Sequence, residues 1–227
     1  MAGQGFECNA DLVLCIDATG SMEPIIDEVK SSATSFYDRI TDALQEKERY
    51  VKNFRIKIIV FRDYYCDGDM AMNESKFFSL PQETEDFYDF VSEISAGGGG
   101  DEPENALEAI ALAMDSDWVQ EGTRRRHIIM VWTDASAHPL EKSFEGKPAI
   151  YPEGIPTSFM GLGDWWADRQ SGKMNQSAKR LIVFAPDDSP WSEIALWENT
   201  VHIPSKAGAG MDETDMDMVI KTLAGSV

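Results

Sequence analysis

Residues 11–22 read DLVLCIDATGSM. The run 12–16 is apolar, too short for a buried helix and bounded by polar residues, which is the pattern of a buried strand. Asp17 ends it, and small polar residues lead straight into a segment with Ile25, Ile26, Val29, Ala33, Phe36, Ile40 and Leu44 at three-to-four spacing. That spacing predicts one amphipathic helix over 23–47. The same alternation continues along the chain. Strands are predicted at 55–61, 127–132, 181–185 and 200–203, and helices at 87–94, 103–114, 191–197 and 211–223. Pro103 and Pro190 suit first helical turns. A short edge strand is expected at 76–80, after the Asp67-Gly68 turn. Strand-helix alternation implies an α/β fold: a doubly wound, mostly parallel central sheet with helices on both faces.

The chain has 227 residues, 43% of them hydrophobic, enough for one packed domain over 1–227. No internal repeat is evident. The least regular part is an elaborated loop at about 140–178, rich in Gly and Pro and expected to hold one helix. Its Trp165-Trp166 pair reads as a loop anchor, since linkers rarely carry so many aromatics.

Composition narrows the function. There are 20 Lys and Arg against 40 Asp and Glu, a net charge of −20. Between Phe77 and Thr123 stand twelve acidic residues and no basic one. Such a surface repels phosphate backbones, so nucleic acid is excluded as an unaided partner. The six Trp argue against a disordered acidic tail. No apolar run approaches the roughly 20 residues of a membrane span, and no basic-then-apolar leader is visible. Cys8, Cys15 and Cys66 form no CxxC and cannot all pair, which suits a reducing, cytoplasmic setting. Cys15 reads as a small core residue. Arg124–Arg126 is too short for nucleic acid and reads as a solvated turn. Nothing in the sequence fixes the oligomeric state.

In an open parallel sheet, ligands bind beyond the carboxyl ends of the strands. The loop after the first strand offers Asp17, Thr19 and Ser21. The loop after 127–132 offers Asp134, and the run Gly97–Gly100 opens onto Asp101. Carboxylates and hydroxyls on three loops suit a hard divalent cation, Mg²⁺ above all, with Mn²⁺ or Ca²⁺ as alternatives. No His or Cys cluster offers a zinc site. The plainer roles are caps and turns: Asp17 at a turn, Ser21 as the helix N-cap, and Asp101 as a cap for a helix starting at Pro103.

The constellation resembles the von Willebrand factor type A domain and its metal-ion-dependent adhesion site. In that family the pattern is D-x-S-x-S in the first loop, a Thr in the second and an Asp in the third. Asp17, Thr19 and Ser21 match the first loop, with Thr in place of one Ser, and Asp134 matches the third. The second loop departs, with Asp101-Glu102-Pro103-Glu104 where a Thr is expected. That run, with Arg62-Asp63-Tyr64, looks like a branch that includes bacterial type A domain proteins and the alpha-kinase-associated domain. The resemblance implies metal ligation by Asp17, Thr19, Ser21 and Asp134, with Asp134 acting through water; Asp101, where the family has a Thr, is expected to coordinate directly or through water. It also implies a protein partner bound at the ion.

Three function classes follow. The first is a metal-dependent protein-binding module, whose partner carries a basic or polar patch. The second is a Mg²⁺-dependent hydrolase of phosphoryl or peptide bonds, with Asp17 or Asp134 as base. The third is a structural domain whose ion only ties loops. No GxSxG elbow, Cys-His pairing or HExxH is present, so no catalytic residue is assigned. Gly97–Gly100 lacks the Lys and Ser/Thr of a P-loop. Arg62 and Asp63 are expected to pair and hold the loops, and His138 to pack or hydrogen-bond a loop.

Overall fold

The computed structural model describes residues 8–100, 103–141, 148–167, 173–205 and 216–227. Its centre is a seven-stranded sheet: β1 (Cys8–Asp17), β2 (Val51–Phe61), β3 (Met72–Glu74), β4 (Phe78–Leu80), β5 (Arg124–Trp132), β6 (Lys179–Pro186) and β7 (Thr200–Ser205). The order is β3-β2-β1-β5-β6-β7, and β4 also pairs with β2. β1, β2, β5, β6 and β7 are mutually parallel; β3 and β4 run antiparallel to β2.

The strand pleat divides the core in two. Leu12, Leu14 and Ile16 of β1, with Ile128, Met130 and Trp132 of β5, face one layer. That layer is built from α1 (Glu23–Ser32), α2 (Phe36–Glu46), α3 (Thr84–Glu93) and α7 (Met216–Ser226). Val13 and Cys15, with Ile129 and Val131, face the other side, packed by α4 (Ala106–Met114), α5 (Phe159–Ala167) and α6 (Trp191–Ile194). Successive side chains of a strand point to opposite faces, so a fully apolar run is what a sheet covered on both sides requires. The fold class read from the sequence is the one observed.

Several local expectations change. The helix expected over 23–47 is two helices, broken at 33–35. The Ser35 hydroxyl donates to the Ser32 carbonyl (3.2 Å), and such short polar side chains compete with the helical ladder. Pro103 lies outside α4, which begins at Ala106; Glu104 instead bridges to Ala137. The three arginines at 124–126 are not a turn but the first residues of β5. The edge strand expected at 76–80 is confined to β4, and β3 joins it on the same edge. The elaborated loop carries α5, and Trp166 anchors it: its indole donates to the Glu198 carbonyl (2.8 Å) and stacks on Trp197. Trp165 is partly exposed. All three cysteines are free, with Cys8 and Cys15 buried and Cys66 exposed. Among the described residues no helix is long and apolar enough to cross a membrane.

Candidate metal centre

β1 and β5 are parallel neighbours with Ile16 opposite Trp132, so Asp17 and Thr133 leave the sheet side by side. From β1 the chain crosses to β2 on one side, and from β5 it crosses to β6 on the other. The gap between β1 and β5 is therefore where the winding reverses, the position at which open α/β sheets form a crevice.

Asp17 stands in that crevice, fully buried. Its Oδ1 accepts from the backbone N–H of Thr19 (2.9 Å) and from the Thr19 hydroxyl (2.7 Å). Its Oδ2 accepts from the Thr133 hydroxyl (2.7 Å), which in turn accepts from the Ala135 N–H (3.1 Å). Ser21 lies in the 3₁₀ turn Gly20–Met22 and donates to Asp134 Oδ1 (3.0 Å). It is therefore not the N-cap of α1, a position held by Met22. Burial pushes the Asp17 carboxyl up from 3.8 to about 6, and the nearby Asp134 charge adds to the rise. The bonds from Thr133 and Thr19 oppose it. Desolvation wins because hydroxyl dipoles only partly replace water around a carboxylate.

The second loop packs directly on this centre. Gly99 has φ +68°, and a Cβ placed there would lie 2.4 Å from Thr19 Cγ2 and 2.6 Å from Glu104 Oε1. Only a residue without a side chain fits so close a backbone approach. Glu104, itself buried, is zipped to the third loop: its N–H donates to the Ser136 carbonyl (3.1 Å), and its carbonyl accepts from the His138 N–H (2.8 Å). The segment between β2 and β3 forms a further wall. Asp67 accepts from the N–H groups of Gly99 (3.0 Å) and Asp63 (3.1 Å).

Of the residues singled out from sequence, the fold brings Asp17, Thr19, Ser21 and Asp134 together. Asp101 lies outside the described residues. Arg62 and Asp63 do hold loops, but not by pairing. The Arg62 guanidinium donates to four carbonyls, whereas Asp63 accepts from the Tyr65 N–H (2.8 Å) and faces His138 Nε2 at 3.6 Å. His138 is buried and packs edge-on against Tyr65. Thr133, Asp67 and Glu104 were missed. Thr133 had a readable signal, because the first residue beyond a buried strand must face the same crevice as Asp17. Asp67 had none beyond its turn.

Oxygen donors alone converge here, carboxylates and hydroxyls in a cradle closed by glycine backbone, and this donor set fits a hard divalent cation. Among the described residues, no three Asp, Glu, His or Cys side chains cluster as a ready-made metal cage. The hydroxyls are what complete the set.

Residues 11–150 match the von Willebrand factor A domain over most of the chain. The chain belongs to the von Willebrand factor A domain family. Over 150 residues it is 33% identical to the alpha-protein kinase vwkA of Dictyostelium discoideum, covering 66% of this chain and 22% of that protein. It is 28% identical over 135 residues to a putative ariadne-like RING finger protein of Acanthamoeba polyphaga mimivirus, covering 59% of this chain and 11% of that one. This von Willebrand factor A chain thus spans about a fifth or less of those relatives. In three dimensions it is similar to the pilus adhesin SpaC of Lactobacillus rhamnosus GG, with TM-score 0.58, 11% identity, and 97% of this chain against 31% of that one. It is also similar to proximal thread matrix protein 1 of the mussel byssus, with TM-score 0.52, 9% identity, and 98% against 49%. At such identities the likeness is one of fold.

Proposed function

We propose that this domain is a divalent-cation-dependent protein-binding module, of the metal-ion-dependent adhesion type, whose partner docks over the crevice between β1 and β5. The observation that carries the reading is the convergence of Asp17, Thr19, Ser21 and Asp134 at the switch point. Thr19, Ser21, Asp17 and Asp134 would hold the cation, Mg²⁺ by preference for an all-oxygen set that retains water. When bound, the ion supplies a Lewis-acidic contact for an oxygen atom of the partner.

The chain's own residues do the rest. Thr133 and the Thr19 backbone fix the orientation of the Asp17 carboxylate. Thr19 and Ser21 each have a hydroxyl that now satisfies a carboxylate and has lone pairs to offer. Gly99 and Glu104 close one side of the crevice. The role is binding rather than catalysis, and the partner presents a basic or polar patch to an acidic domain. The likeness to vwkA supports reading the domain as one of the alpha-kinase-associated branch, where such a module would sit beside a separate functional unit.

The test is titration calorimetry of Mg²⁺ on the wild type and Asp17→Ala, followed by partner capture with and without EDTA. Saturable Mg²⁺ binding that Asp17→Ala abolishes, with capture lost in EDTA, is expected. Equal capture by the wild type with EDTA, by the wild type without it and by Asp17→Ala refutes the reading. Turnover of a generic phosphoester dependent on Asp17 would make the domain a hydrolase instead.

A further inference from the structure

Arg62 follows directly on β2 and is 8% exposed, yet no carboxylate pairs with it among the described residues. Among the described residues its hydrogen-bond acceptors are backbone carbonyls. Nε donates to the carbonyls of Ala18 (3.1 Å) and Gly97 (2.8 Å), one terminal nitrogen to Met70 (2.7 Å) and the other to Ser95 (2.6 Å). Its own backbone continues the pattern: its N–H donates to the Ala71 carbonyl (2.8 Å), and its carbonyl accepts from the Asn105 N–H (3.0 Å). Ala18 is the residue between Asp17 and Thr19, and its carbonyl accepts a second bond from the Gly97 N–H (2.9 Å). One buried side chain thus reaches the first loop, both ends of the approach to the second loop, and the segment between β2 and β3.

A planar guanidinium offers five donors in a fixed fork, so it can bind several carbonyls only when these already hold one arrangement. Taking a cation out of water is expensive, and four carbonyl dipoles offset part of that cost here. The loops are therefore mutually dependent. Release of any one carbonyl weakens the hold on the others.

We propose that Arg62 is the positioning residue of the cation centre, holding Ala18 so that Asp17 and Thr19 meet the second loop as one unit. This rests on the reading of the centre as a cation site. The consequence is coupling: occupancy of the first loop tightens the segments around Met70 and Gly97, whose described residues are not among the proposed ligands.

The experiment measures Mg²⁺ affinity by calorimetry and thermal midpoint in EDTA for wild type, Arg62→Lys, Arg62→Gln, Arg55→Ala and Asp17→Ala. Arg55 bonds Asp11 on the same two strands, remote from the crevice, so Arg55→Ala controls for simple loss of stability. In Arg62→Gln the Mg²⁺ affinity is expected to fall at least about tenfold, as for residues that orient the ligands of other metal sites. Lys, which keeps the charge but loses the fork, is expected to restore only part of it. Arg55→Ala lowers the midpoint and leaves the affinity unchanged. Wild-type Mg²⁺ affinity in folded Arg62 variants overturns the proposal while leaving the cation site standing; no Mg²⁺ binding by the wild type overturns both. Hydrogen exchange on the wild type decides the matter even where the variants do not fold. Mg²⁺ is expected to raise protection at Gly97 and Ala71 together with Thr19, and protection confined to 17–21 and 133–135 refutes the coupling.

Discussion

Replacing Asp17 with Asn isolates the electrostatic cost of the buried carboxylate. In the folded chain Asp17 keeps its proton up to about pH 6, whereas its ordinary value is 3.8. Between those values the folded state binds more protons than the unfolded one, so stability contributed by this group is present below 3.8 and falls as pH rises through 6. The interval amounts to about 3 kcal/mol at 1.36 kcal/mol per pH unit, an upper figure because relaxation around the charge reduces it. The asparagine side chain has nearly the same shape without a charge, and the Thr133 hydroxyl can turn to meet its amide. In EDTA, the difference in unfolding free energy between Asp17→Asn and wild type should be small near pH 4. It should rise toward +3 kcal/mol, on the order of that bound, by pH 7.5. Urea unfolding at half-unit pH steps measures it, and the subtraction cancels the titrating groups that do not interact with Asp17, Asp134 being the neighbour that does. With Mg²⁺ at a hundredfold over its Kd the wild type should regain about 2.7 kcal/mol and Asp17→Asn nothing. A difference that stays flat between pH 4 and 7.5 would refute the idea that this carboxylate is held uncompensated.

Gly99→Ala drives a Cβ onto Thr19 and Glu104 in a left-handed backbone, so unfolding should cost about 1–3 kcal/mol less, with the Mg²⁺ response diminished in the same calorimetric titration. His127, stacked on Trp118, lies against the Val119 carbonyl through Nε2 (2.8 Å) and accepts from the Asn175 N–H through Nδ1 (3.1 Å). Burial holds its pKa below 6.5, so the stability it contributes is full above 6.5 and is lost as pH falls through the folded value. The opposite sign from Asp17 makes it separable, and His127→Gln should flatten the acid limb of the urea profile. Arg55→Ala leaves the buried Asp11 carboxylate with the Val119 N–H (2.7 Å) as its remaining bond among those described. That change should lower the unfolding free energy by about 2–3 kcal/mol at pH 7, and adding Asp11→Asn should recover part of it.

The fold was legible because its signals are local and repeated. A run such as Leu12 to Ile16 can only be a strand buried on both faces, and the helical spacing from Ile25 to Leu44 can only pack against it. What escaped depends on competition at single residues. Ser32 and Ser35 interrupt a helix whose apolar spacing continues undisturbed across the break. Glu104 reads as part of a helix start, yet its backbone is taken by the third loop. At the centre, Asp17, Thr19, Ser21 and Asp134 were visible because short polar side chains stood at strand ends in order. Arg62 was visible as a residue but not as a role. Sequence suggests a neighbour in the chain, Asp63, as its partner, whereas the fold supplies carbonyls from residues 18, 70, 95 and 97. Backbone acceptors carry no sequence signature, so no pattern of residue types could have revealed them.

The acidic stretch from Phe77 to Thr123 illustrates why charge counts alone mislead. Glu85, Asp86, Asp89 and Glu93 lie exposed on α3, opposite the buried Phe87 and Val91, and form a solvated helix face. Glu104 and Glu108, from the same stretch, are buried; Glu108 accepts from the Asn105 amide (2.9 Å) and the Tyr151 hydroxyl (2.8 Å). The exposed acids are screened beyond about 8 Å in physiological salt and act only on what approaches the surface. The buried ones hold the second loop, α4 and the elaborated loop in register. Tyr151 ties that loop to α4, and Asn105 ties α4 to the segment after β2 through the Tyr64 N–H (2.7 Å). The −20 net charge therefore divides into a steering field outside and a set of internal fasteners. At the crevice Asp17 and Asp134 stand near enough for the Asp134 charge to raise the proton affinity of Asp17.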